Sequence, residues 1–63
     1  MENSKQELIE YINKVGDMSL SVEMTRMPGI QIEILKIALP EIYKGLKDGF
    51  VSLTGENPWD NNQ

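Results

Sequence analysis

The titratable side chains of this chain are ten carboxylates, six Lys or Arg and two tyrosines, with no His and no Cys. Without His, the usual general base near neutral pH is missing. Without Cys, so are the thiolate nucleophile and the soft metal ligand. The Ser and Thr hydroxyls therefore have no imidazole to activate them. One acid pair, Glu7 and Glu10, sits three residues apart and would share a helix face, as paired carboxylates for proton transfer might. Nothing around it suggests a pocket, and a solvated helix surface is the simpler reading. The five glycines are scattered rather than gathered into a phosphate loop. No catalytic residue, metal site, cofactor or small-molecule substrate is expected, and the chain does not read as an enzyme.

Binding chemistry is better represented. Gln31, Glu33 and Lys36 are polar groups on one predicted helical run, and Ile32 and Ile37 stand among them. Lys44 and Lys47 follow one turn apart. Trp59, after Asn57-Pro58, is either an interface anchor or a lid folded back on a small core. Met1, Met18, Met24 and Met27 offer adaptable apolar surface, although core filling is the better account of Met24 and Met27.

At 63 residues and a net charge of −4, the chain reads as one small domain. Such a domain buries only about 60% of its unfolded surface. Lys5, Lys14, Arg26, Lys36, Lys44 and Lys47 are spread along the chain, which disfavours a basic stripe for phosphate binding. No apolar run approaches the roughly 20 residues that span a bilayer. The polar N-terminus MENSKQE has no signal-peptide character. A cytoplasmic setting without membrane contact is expected.

The elements that must position these residues read as follows. Ser4-Lys5-Gln6-Glu7 has capping-box form. Leu8, Ile9, Ile12 and Val15 recur at helical spacing, which predicts a first helix over 5–15 ended by Gly16. Met18, Leu20, Val22 and Met24 alternate with polar residues, as in a strand. Ser21 could instead cap a short helix, Val22 to Met27, ended by Pro28-Gly29. A further helix then starts near Gln31 and buries Leu35, Ala38, Leu39, Ile42 and Leu46, with Leu39 at the centre of the stripe. Pro40 marks a kink, or the first turn of a separate helix to Lys47. Asp48-Gly49 ends it, and Phe50–Thr54 reads as a strand. Gly55–Pro58 is a turn and 60–63 a frayed tail.

In this order, ELIEYINKVGDMSLSVEM, GIQIEILKIALPEI and DGFVSLTG resemble the opening, the turn with third helix, and the wing start of a winged helix-turn-helix domain. The resemblance implies a mainly α fold with three helices and a small β wing, formed by Met18–Leu20 and Phe50–Leu53, in a single domain over 4–59. The alternative is an α-β-β-α arrangement. There a Met27-Pro28-Gly29 hairpin pairs Met24 with Ile32 and Val22 with Ile34.

Two functions follow from different classes. The resemblance implies a small DNA-binding transcription regulator, with Gln31 and Lys36 on the reading helix and Lys44 and Lys47 near the phosphates of duplex DNA. The surface of that helix points elsewhere, because Ile32 and Ile37 make no polar contact and Glu33 repels phosphate. It suits an acidic protein-interaction module that dimerises or blocks a protein partner.

Overall fold

The computed structural model describes residues 2–60 of the chain, with side chains from Ser4 onward. Among these residues it contains two α-helices, α1 (Glu2–Met24) and α2 (Ile30–Thr54), which pack against each other as an antiparallel hairpin. No strand occurs among the described residues. This overturns the three-helix domain with a β wing, and with it the α-β-β-α alternative.

The seam explains the arrangement. Along α1, Lys5, Ile9, Ile12, Gly16 and Ser19 are half-buried or buried. Along α2, so are Ile32, Lys36, Leu39, Tyr43, Leu46 and Phe50. Both series advance by alternating threes and fours, the repeat that keeps one face of a helix against a neighbour. Ile12, Leu39 and Phe50 are the buried apolar core, so the central place expected for Leu39 is the place it takes.

Each failed boundary has a physical cause. Gly16 does not cap α1; it is buried in the seam with the Tyr43 ring lying on it. A Cβ built there would stand 2.7 Å from Tyr43 Cζ, so glycine serves close approach rather than termination. The Met18–Met24 alternation is helical: Met18 and Val22 share one side of α1 while Leu20 and Met24 lie on another. Ser4 and Ser21 fall inside α1 and cap nothing. Pro40 lies inside α2 without ending it. Its loss of a backbone bond costs about 3 kcal/mol, but seam residues on both sides of it hold the helix together. Pro40 is exposed, so water can reach the carbonyl left without a donor. Asp48-Gly49 likewise does not end α2. Phe50 to Leu53, expected as a strand, form its last turns, with Phe50 pointing into the core.

The chain reverses over residues 25–29. Pro28 cannot extend α1, and Gly29 takes φ 149°, a conformation that side chains disfavour. The stop of α2 is at Gly55, left-handed at φ 75°, whose N–H donates to the Val51 carbonyl at 2.8 Å. Met24 and Met27, expected in the core, are 78% and 65% exposed because they sit at the reversal, beyond the end of the seam. The predicted tail beyond Asp60 lies outside the described residues.

Candidate interaction surface

Two helices have two long sides, and here the sides differ. On one, Leu8, Tyr11, Val15, Met18 and Val22 form a second row along α1, again spaced by threes and fours. Leu35, Ala38, Ile42, Gly45, Gly49 and Leu53 form the matching row along α2. None of these positions carries a charge or a side-chain amide. With the seam, the apolar arc of α1 covers about half its circumference, wider than the roughly 100° stripe that one neighbour buries. The surplus is open to solvent: Tyr11 is 61% exposed and Leu53 87%. Between the rows runs a groove of about 300 Å³, lined by Leu8, Tyr11, Gly45, Leu46, Gly49 and Leu53.

Gly45 and Gly49 are informative. Both lie inside a helix, where glycine costs roughly 0.5–1 kcal/mol relative to alanine. Neither has a conformational reason, since neither takes a positive φ. Neither has a packing reason within the hairpin, since an added Cβ at either would meet nothing within 4 Å.

The opposite, polar side carries charged groups, although Leu20 and Pro40 also line it. Asn13, Asp17 and Glu23 from α1 face Lys44 and Lys47 from α2 across an open groove. Lys47 Nζ stands 4.2 Å from the centre of the Tyr43 ring, a cation–π contact. The tail closes one end of the hairpin. Thr54 Oγ1 donates to the Phe50 carbonyl at 2.8 Å and accepts from the Glu56 N–H at 3.1 Å. Lys5 Nζ donates to both Glu56 carboxylate oxygens at 3.1 Å. Trp59 meets Phe50 edge-on, with ring centres 5.4 Å apart, and its Nε1–H donates to Asn13 Oδ1 at 2.7 Å.

The residues singled out from the sequence do not form one surface. Ile32 lies in the seam and is half-buried, whereas Ile37 points away at 73% exposure. Gln31 is exposed at the start of α2. Lys36 is half-buried and approaches Glu33 at 3.9 Å. Lys44 and Lys47 lie on the polar side, and Trp59 packs as a lid on Phe50. The apolar rows were not proposed from the sequence. The signal was present: reading threes and fours past the first stripe from Leu8 and from Leu35 yields both.

No group of acidic side chains among the described residues could hold a metal ion. No helix among them is long and apolar enough to cross a membrane. Comparison of the chain with protein-family models, with curated proteins and with solved structures found no match.

Proposed function

We propose that this chain is a helical-hairpin interaction module that works by docking its apolar side against other helices. The continuous uncharged surface on both helices carries this reading. Contiguous exposed apolar surface on a small protein usually marks an interaction site, and a face made of parallel helical ridges and grooves matches another helical surface best.

Duplex DNA is the weaker partner. The chain is acidic, at −4. Lys5, Lys36 and Lys47 are engaged with Glu56, Glu33 and the Tyr43 ring. Lys44 and Lys47 share their groove with Asp17 and Glu23, so these four lysines make no stripe of uncompensated cations to replace phosphate counterions.

The chain lacks cysteine, so Asp48→Cys on the outer face of α2 gives a single labelling position. Fluorescence anisotropy of that labelled protein with duplex DNA at low salt tests the reading. No saturable rise is expected. A rise that falls steeply with added salt would favour DNA binding instead. In parallel, Leu8→Lys with Leu53→Lys should keep the helix content and lose association with helical partners. Undiminished association in that variant would remove the apolar side from consideration.

A further inference from the structure

We propose that the occupant of the apolar side is a second copy of this chain, two hairpins stacking face to face into an antiparallel four-helix bundle. The inference rests on the interaction-module reading above and names its partner.

Area is the first argument. A compact folded monomer of 7.2 kDa is expected to expose about 4,100 Å². The hairpin exposes 5242 Å², about 1,100 Å² more than that scaling allows. Two copies covering that excess on each would bury about 2,200 Å² together, within the range of obligate homodimers. The dimensions agree. The radius of gyration is 13.6 Å, against about 11 Å for a compact domain of this length. The thinnest extent, 16 Å, is that of a single layer of helices, whereas domains are commonly built from two.

Shape selects a second copy over an unrelated helix. The α1 row is bulky, with Leu8, Tyr11 and Met18. The α2 row is notched, with Ala38, Gly45 and Gly49. A two-fold axis parallel to the helices places α1 of each copy over α2 of the other, in antiparallel direction. Leu8 and Tyr11 lie level with Gly45, Gly49 and Leu53 across the groove. The same axis therefore sets each Tyr11 ring over the Gly45–Gly49 notch of the second copy. The surface is self-complementary, as a two-fold interface must be, and it supplies the reason for two open glycines that the single hairpin lacks. No position of either row is charged, so stacking buries none of the acidic side chains.

Sedimentation equilibrium of the full chain over a wide concentration range tests this, with helix content followed by circular dichroism. The expected parent mass is twice 7.2 kDa. Gly45→Leu with Gly49→Leu fills the notch, at positions where an added Cβ meets nothing within 4 Å in the lone hairpin. It should raise the dissociation constant by at least about tenfold, the equivalent of 1.4 kcal/mol, with helicity retained. If that variant misfolds, Gly45→Ala decides: alanine favours helix, so any weakening of the pair cannot come from helix loss. A parent at one chain's mass throughout, fully helical, overturns self-pairing but leaves the apolar side open for a different helical partner. A parent mass above two chains overturns the bundle. A dimeric parent whose glycine variants and Leu53→Lys pair as tightly as it does overturns both the notch and the apolar side as the interface.

Discussion

The two long sides of the hairpin come from the same two helices, and only one is finished. On the polar side Tyr43 fills the space over Gly16, Lys47 covers the ring, and side chains of both charges line the groove beyond. On the apolar side the equivalent glycines, Gly45 and Gly49, have nothing over them. Both sides use glycine within a helix, which is unfavourable unless something packs closely against it. Where the neighbour belongs to the same chain, it is visible. Where it is missing, the glycines record the shape of a neighbour still to come.

The largest expected effect lies on the seam that both sides share. Phe50 is buried and holds Trp59 edge-on. Phe50→Ala should cost about 3–5 kcal/mol, comparable to the whole stability of so small a chain. Far-UV circular dichroism should show a largely unfolded protein at room temperature. A normal melting curve would mean that the seam is drawn in the wrong place.

The two kinds of glycine separate the sides directly. Gly16→Ala drives a methyl group into the Tyr43 ring and should destabilise by about 1–3 kcal/mol. Gly45→Ala, in a Leu53→Lys background where pairing is disabled, should stabilise by roughly 0.5–1 kcal/mol. Urea denaturation of the two variants should therefore shift in opposite directions. Equal shifts would erase the distinction between a filled and an open glycine.

A smaller effect belongs to the tail. Trp59→Phe keeps a ring against Phe50 but removes the donor to Asn13 Oδ1, at a cost of about 0.5–1.5 kcal/mol. Smallest is Lys5→Ala. Its ion pair with Glu56 is well exposed at both partners, so the change should stay within about 0–1 kcal/mol and shrink with salt.

Part of this fold was legible in the sequence. The spacing from Leu35 to Leu46 places a helix correctly, Leu39 is central, and Met27-Pro28-Gly29 marks the reversal. The remainder failed at glycine and proline. Gly16 and Gly49 read as stops, and Pro40 as a kink or the start of a new helix, because local propensity counts only their cost to a helix. The gain from continuing the seam past them comes from residues twenty or more positions away and has no local signature. The same blindness turned Met18–Met24 and Phe50–Leu53 into strands, because period-two alternation over a few residues also fits a helix with apolar groups on two sides. Of the site, Gln31, Ile32, Glu33, Lys36 and Ile37 were grouped by a helix-turn-helix register that the hairpin does not have. The long uncharged rows needed the second stripe to be read as surface rather than as core.

The central claim is that the apolar side is closed by another copy of the chain. The most direct test is the midpoint of urea unfolding as a function of protein concentration, followed by helix content. Because pairing stabilises only the folded hairpin, the midpoint must rise as the concentration rises, by mass action. That rise is expected in the parent and should vanish in Leu53→Lys. A parent midpoint that stays fixed across the whole range would contradict the account, since pairing would then contribute nothing to the folded state.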